Sequence, residues 1–406
     1  MAVQSETITM VGAAESETVR SRRRRARLRR DLVQIAIIAA VAALVVLFAL
    51  AIRQGLARHG IGFSFDYLWN SAGINLSEGL TLVAPNGWPQ VEAFTSADTN
   101  AQALVAGFSN TVKIAFLAII LSTVIGTMIG VGRLSTNWIM RQLCFGIVEF
   151  VRNTPLLIQL VFWYFAVVLQ FPPLAAAAKL YGGIIASQQG VFLPAIMPSP
   201  DASLASVAVF ILSLFLLAGS LFPGRRGAVR NGLAACGAVL LAASVALGFP
   251  LALDFPVANR FQASGGTSMS PEMAALLLAI VVNSAAYIAE IVRGAIETMP
   301  KGQWEAAAAL GLGRHDTLKD IILPQVFRIV LPSFGNQYIN LAKNTALGIA
   351  IGYPDLFNVY GTIANQTGRS LEGIIIVMVT YLLISWVISA AVNLANRRLT
   401  RQGAGR

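Results

Sequence analysis

Of 406 residues, 56% are hydrophobic and only 12% are charged, whereas soluble domains carry about a quarter charged residues. With a mean hydropathy of +0.68, that deficit places most of the chain in lipid. The net charge of +11 does not call for nucleic acid, because basic residues gathered in short loops between apolar spans are what membrane orientation requires. Cys144 and Cys236 lie in or beside apolar runs and offer no CxxC pair or exported disulfide. His59 and His315 are too far apart in sequence to suggest a shared metal.

Residues 1–31 are polar and then strongly basic, with SRRRRARLRR from Ser21 to Arg30. They read as a solvated tail, with anionic headgroups the alternative partner for a polybasic stretch beside a membrane helix. The uncharged run 32–52 exceeds the apolar core of a signal peptide and lacks a small-residue cleavage site, so it reads as a retained transmembrane helix. Residues 53–104 form a polar external loop, with an interfacial helix expected near Phe63 to Trp69. The second span, Val105 to Gly132, carries Gly126 and Gly130 in a GxxxG spacing. Such spacing lets helices approach closely, here for packing within one subunit rather than for dimerisation. Lys113 in the same span implies an internal ion pair or snorkelling.

The third span, about Cys144 to Leu169, contains VRNTPLLIQLVFWYF. Pro155 offers no donor to the carbonyl one turn earlier, so a kink or a helix start is expected, with Asn153 and Thr154 placed to satisfy the freed backbone. Residues 170–203 read as a Pro- and Ala-rich external loop. Two spans follow, about Ser203 to Leu221 and Leu233 to Leu253, joined by PGRRGAVR. The sixth, Met273 to Val292, opens on Ser270-Pro271-Glu272, an N-cap, a first-turn proline and an acid suited to the helix dipole. Near its end Glu290 and Arg293 stand one turn apart, spaced for a local pair. The seventh span, Val330 to Ile351, carries Asn336, Asn340, Lys343, Asn344 and Thr345. A lysine deep in a bilayer is costly, so Lys343 lines a polar path, pairs with an acid, or snorkels. The eighth span, Gly373 to Leu394, precedes a basic tail that ends in residues 399–406.

Charge fixes an orientation for this eight-span reading. With the N-terminus inside, the inner segments 1–31, 132–141, 223–230, 293–328 and 396–406 hold 22 Lys and Arg, and the outer segments hold 5. The bias puts both termini and the loop 293–328 in the cytoplasm. Within that loop stands EAAAALGLGRHDTLKDIILP, Glu305 to Pro324. Alanine predicts a helix from Trp304 to Leu310, with Glu305 near its N-terminal end. Gly311 and Gly313 are expected to end it in the left-handed conformation of a C-cap. A second short helix is expected from Asp316 to Leu323.

The spacing EAA, three residues, Gly, nine residues, Ile, one residue, Leu-Pro resembles the cytoplasmic loop of permease subunits of ATP-binding-cassette importers. The resemblance implies that Glu305, Ala306, Ala307, Gly311, Ile321, Leu323 and Pro324 belong to a coupling helix that docks on a separate ATPase. Three further strings are similar to the polar and general L-amino acid branch: RNTPLL (Arg152 to Leu157), AYIAEIVRGAIETMPKGQWEAA (Ala286 to Ala307) and LAKNTAL (Leu341 to Leu347). The implied fold is an all-α integral membrane protein of about eight helices. Its permease domain, residues 105–398, has a type I core of five helices, interrupted by an inserted pair at 203–253 and preceded by the N-terminal helix 32–52. The implied partners are an ATP-binding-cassette ATPase subunit, a homologous sister permease, a periplasmic amino-acid-binding protein and membrane lipid, in a bacterial inner membrane. Candidate path residues are Arg152, Asn153, Thr154, Glu290, Lys343, Asn344 and Thr345.

No GxxxxGK[ST] loop occurs, nor any Gly-Lys pair, so this chain does not hold ATP by that mechanism and needs no cofactor of its own. A channel or a secondary-transporter subunit is the alternative, and a channel would need rings of coordinating groups. A membrane enzyme is the third class, and no nucleophile–base constellation supports it.

Overall fold

The computed structural model describes residues 29–48, 50–51, 54–55, 63–84, 88–199, 203–220 and 227–403. The chain divides into two compact units, Met1–Asp66 and Tyr67–Arg406. The first holds helix α1, Arg29–Phe48, 20 residues of mean hydropathy 2.6. The basic tail lies outside the described residues as far as residue 28, as do the first half of the PGRRGAVR connection and residues 404–406.

The second unit begins with an antiparallel hairpin of β1 (Leu80–Val83) and β2 (Gln90–Ala93), with Leu80 opposite Ala93. Helix α2, Asn100–Gly132, starts at a capping box in which the Thr99 hydroxyl accepts from Gln102 N–H and the Gln102 side chain accepts from Thr99 N–H. Helix α3, Trp138–Arg152, is capped by Asn137. Helix α4, Leu156–Phe162, continues through a π-turn and a 3-10 turn to Gln170, and its course is bent from that of α3 by 103°.

Short strands then replace the irregular loop expected at 170–203. They are β3 (Ala178–Leu180), β4 (Ile184–Ser187), β5 (Gly190–Leu193) and β6 (Ala195–Pro198). The helical hairpin α5 (Leu204–Ser220) and α6 (Gly227–Ala246) follows, then β7 (Leu251–Asp254), β8 (Val257–Ala258), β9 (Ala263–Ser264) and β10 (Thr267–Met269). One sheet has the order β10-β5-β4-β3, and β8 pairs with β9. Strand β6 pairs with β7 from Ala195↔Asp254 to Pro198↔Leu251, which ties the two feet of the inserted hairpin together. The protein is therefore mostly helical rather than all-helical. These strands are only two to four residues long, too short for a period-2 pattern to emerge from Ala- and Pro-rich sequence.

The chain ends with α7 (Pro271–Glu297), α8 (Lys301–Ala309), α9 (Arg314–Asp316), α10 (Leu323–Asn344), α11 (Leu356–Thr367) and α12 (Ser370–Gly403). Among the described residues five helices, α1, α2, α6, α7 and α12, are long and apolar enough to cross a membrane, and the bent α3–α4 pair makes a sixth if it is one span. Helix α5 is 17 residues long and α10 carries a polar face, so neither meets that standard.

Helix α7 is the centre of the packing. In its most apolar window 72% of residues are buried, against 33% in α2 and 11% in α12. Two glycines let α2 lie directly on it. A Cβ at Gly126 would stand 2.7 Å from the Ala285 carbonyl oxygen, and one at Gly130 would stand 2.6 Å from that of Ala289. The GxxxG spacing thus serves packing within the subunit. Gly130→Leu is expected to destabilise the protein by at least about 1–3 kcal/mol through overpacking. Gly146→Ala on α3 is the control, because nothing lies within 4 Å of the added Cβ. Thermal unfolding in detergent checks this: equal melting of the two variants would remove the glycine crossing from the account.

Candidate functional site

The loop between α7 and α10 carries the EAA-type spacing. Helix α8 runs from Lys301 to Ala309, and Leu312 N–H bonds to Ala307 O while Gly311 N–H bonds to Ala308 O. That pair of bonds is a Schellman motif, which needs a left-handed residue at Gly311, and its φ is +73°. Gly313 has φ −63° and ψ 155° and caps the next helix instead, so only one of the two glycines turns the chain. Glu305 sits mid-helix and not near its N-terminus, because the helix begins at Lys301 and not at Trp304. The second helix is no separate piece: α9, a π-turn over Thr317–Ile322 and α10 run on from Arg314, and Pro324 stands where the π-turn gives way to α10.

Of the motif residues Ala307 is buried, Ile321 and Leu323 are half-buried, and Glu305, Ala306, Gly311 and Pro324 are exposed. Trp304, Leu318, Ile321 and Leu323 pack on a cluster of Ile296, Met299, Ile322 and Val326. The loop is thus anchored on one side and leaves Glu305, Ala306, Leu310 and Leu312 to solvent.

The second feature is the break at Pro155. Asn153 Nδ2 donates to Glu149 O at 2.7 Å and Thr154 Oγ1 to Phe150 O at 2.8 Å, so neither side chain takes the Val151 carbonyl that Pro155 deprives of its helical donor, and Glu149 O already accepts from Asn153 N–H. The Val151 carbonyl accepts instead from Thr154 N–H at 3.3 Å and from Gln159 Nε2 at 2.9 Å, and the same amide group reaches Thr154 O at 2.9 Å. The sequence reading passed over Gln159, although a glutamine four residues beyond a mid-span proline was its signal.

The break opens a polar cleft of about 600 Å³. Arg152, Asn153, Thr154, Pro155 and Leu156 line it from the break, Asn283 and Tyr287 from α7, and Gln337, Asn340, Lys343 and Asn344 from α10. Five of the seven path candidates therefore meet in one hollow. Asn283 and Tyr287 are one turn apart on α7, and Gln337, Asn340 and Asn344 share a face of α10, a spacing readable in the sequence. Arg152 and Lys343 are the only charged residues of the lining, and no acid joins them. Lys343 stands in the last turn of α10 and is exposed, with no ion pair among the described residues. Thr345 does not reach the cleft. It is fully buried, and its hydroxyl donates to Ala342 O at 2.9 Å.

Glu290 also lies outside the cleft lining, in an ion cluster beside it. Its Oε1 accepts from Arg293 Nη2 at 2.5 Å. Its Oε2 binds Arg133 and has Arg152 Nη1 at 3.8 Å. Arg293 also holds Glu297 at 2.5 Å, and Arg133 has Glu149 at 3.9 Å. Near the middle of α2, Lys113 forms an internal pair with Glu78 at 2.9 Å, and Ser270 Oγ donates to the other Glu78 oxygen. Asp355, outside the candidate spans, caps α11 and accepts from Tyr381 Oη at 3.0 Å. Burial pushes its carboxyl up to about 6, against the pull of its hydrogen bonds.

Residues 122–402 match the family described as "Binding-protein-dependent transport system inner membrane component". That stretch covers more than half of the chain and includes the cleft, the ion cluster and the loop. The chain belongs to this permease family. It is a multi-pass transport subunit, of a kind that works with a separate ATPase and a binding protein.

Similar full-length relatives come from several bacteria. The "Putative amino-acid ABC transporter permease protein YhdX" of Escherichia coli is 34% identical over 357 residues, 85% of this chain and 87% of that one. The "General L-amino acid transport system permease protein AapQ" of Rhizobium johnstonii is 34% identical over 85% of each chain. The "Glutamate/glutamine/aspartate/asparagine transport system permease protein BztB" of Rhodobacter capsulatus is 33% identical over 84% of this chain and 86% of that one.

The break makes a prediction of its own. Gln159→Leu leaves the Val151 and Thr154 carbonyls without their shared donor and is expected to cost about 1–3 kcal/mol. A melting temperature equal to wild type would show that Gln159 does not hold the break.

Proposed function

We propose that the chain is a permease subunit for ATP-driven uptake of L-amino acids, joined to its ATPase by the loop Glu305 to Pro324. The observation that carries the reading is the meeting of two features in one family member. One is a loop with the full EAA-type spacing, anchored on one side and exposed on the other. The second is a polar cleft whose only charged groups are Arg152 and Lys343. A carboxylate is the group every amino acid offers to such cations, and arginine can hold it bidentately. Three relatives that match this chain over most of their length are named as amino-acid permeases.

The finer architecture belongs to the same reading. Eight spans, formed by α1, α2, the α3–α4 pair, α5, α6, α7, α10 and α12, place both termini and the loop in the cytoplasm of a bacterial inner membrane. Five of them, α2, α3–α4, α7, α10 and α12, form the core. The polar α10 is accommodated as a span because its polar face lines the cleft rather than facing lipid. The second permease of the assembly is a homologous sister chain, and the cargo arrives on a periplasmic amino-acid-binding protein.

Two experiments test this. Lys343→Met is expected to insert and assemble normally and to lose most uptake of labelled amino acids in vesicles, because the cleft loses one of its two cations. Wild-type uptake would assign Lys343 to snorkelling. In the loop, Gly311→Val forces a β-branched residue into the left-handed region at about 1–3 kcal/mol, with no steric clash added because nothing lies within 4 Å of the new Cβ. Glu305→Lys reverses an exposed charge in the middle of α8. Both variants are expected to reach the membrane, to retain less ATPase on purification and to lose uptake. If either keeps both at wild-type level, this loop is not the coupling contact.

A further inference from the structure

We propose that Arg152 is exchanged between Glu290 and the carboxylate of the cargo, and that this exchange reports occupancy of the cleft to the coupling loop. The inference rests on the permease reading above and adds a positioning role for Glu290, which touches no cargo itself.

The geometry starts from one carboxylate with three guanidinium groups around it. Arg293 and Arg133 are held close to Glu290, and Arg152 is the loosest of the three at 3.8 Å. Arg152 is also the one whose guanidinium faces the cleft, where it lies 5.6 Å from the centre of the Tyr287 ring. Its side chain is 35% exposed, against 8% for Arg133. Arg152 is the last residue of α3, directly before the 103° bend, so a shift of its head group acts at a joint of the backbone. A cargo carboxylate in the cleft competes with Glu290 for this group. A ligand moves an equilibrium only by binding two states differently, and this competition supplies the difference.

The cluster then leads to the loop by two contiguous routes. Arg133 follows the end of α2, and the next residue, Leu134, accepts through its carbonyl from Arg314 Nη2 at 3.1 Å. Arg314 opens α9 inside the coupling loop. On the other side, Arg293 links Glu290 to Glu297, the last residue of α7, just before α8 starts at Lys301. One carboxylate is therefore tied to the middle of the segment that carries the EAA-type spacing, at Arg314, and to the end of the helix that leads into it, at Glu297. A contiguous network of this kind is one way coupling travels between two sites, and mutation tests whether it is used.

The experiment uses the complete transporter in lipid vesicles: this chain, its sister permease, the ATPase and the binding protein. The twenty L-amino acids are screened for stimulation of wild-type ATP hydrolysis, and the strongest is the probe. If none stimulates, the import reading itself fails, and this proposal with it. In Glu290→Gln, Arg152 loses its competitor. The probe is then expected to bind the complex without binding protein about fivefold more tightly, while the stimulated-to-basal ratio of ATP hydrolysis falls about fivefold or more. Arg314→Gln is expected to lower the ratio without changing probe binding, and the double variant should be no worse than Glu290→Gln alone. Tighter binding joined to weaker stimulation is not what a loosened structure produces. Unchanged or weaker probe binding in Glu290→Gln would overturn the exchange, and losses that add in the double variant would overturn the route through Arg314. Should Glu290→Gln not assemble, Glu290→Asp, one methylene short of Arg152, must shift both quantities in the same directions.

Discussion

The close crossing of α2 on α7 fixes the rest of the molecule. Without the space left at Gly126 and Gly130 the two helices would stand apart by at least the width of a methyl group, because each missing Cβ would meet a backbone oxygen of α7. The crossing continues directly into the ion cluster. Gly130 lies against Ala289, three residues before Arg133 on one helix and one before Glu290 on the other. Helix spacing and charge pairing are thus one constraint. A wider crossing would pull Arg133 from Glu290 and leave the half-buried carboxylate to Arg293, on its own helix, and to the looser Arg152, a loss that low-dielectric surroundings make costly.

The break at Pro155 is the complement of that crossing. A straight helix through this region would direct its carbonyls to its own N–H groups and leave no polar wall. The proline removes the helical donor to Val151 O, which Thr154 N–H and Gln159 take up, and Thr154 Oγ1 holds Phe150 O, so the backbone stays satisfied while the chain turns. The bend then presents Arg152, Asn153 and Thr154 to α7 and α10 as the wall of a cleft. Irregular backbone at membrane depth is tolerated where it faces protein or a wet cavity, and here it faces both.

Much of this was legible because it rests on residues with few alternative uses. A proline in an apolar run, glycines four apart and an EAA spacing each admit few geometries, and the bend, the crossing and the Schellman turn at Gly311 follow from them. Lys113 was legible as half of a pair or as a snorkelling side chain, and the pair is what forms, with a partner, Glu78, that lies in a loop and could not be named. What escaped was set by tertiary contact. The β-ribbons around α5 and α6 consist of strands too short to show a period, and pairing with distant strands, β5 with β10 and β6 with β7, creates them. Gly313 looks like Gly311 in sequence, yet its φ is negative because the chain has already turned two residues earlier. Thr345 adjoins Asn344 in a polar string, but the helix tightens into a 3-10 turn there and carries its hydroxyl inward, onto Ala342 O.

The composition of α8 explains how such a loop can serve a partner. Its middle is Glu-Ala-Ala-Ala-Ala, and of the four alanines only Ala307 turns inward, onto the body of the protein. Alanine keeps the helix formed without spending side-chain entropy. It also leaves the outward face so shallow that a partner can approach the backbone closely. Leu310, 77% exposed, and Leu312 stand at the turned end as apolar contacts that this chain does not bury. Rigidity comes from the Schellman turn on one side and the Trp304–Met299–Ile322 packing on the other, not from bulk on the exposed face. A helix built this way holds its shape while its anchored side stays fixed to α7 and α10 and its open side remains exposed.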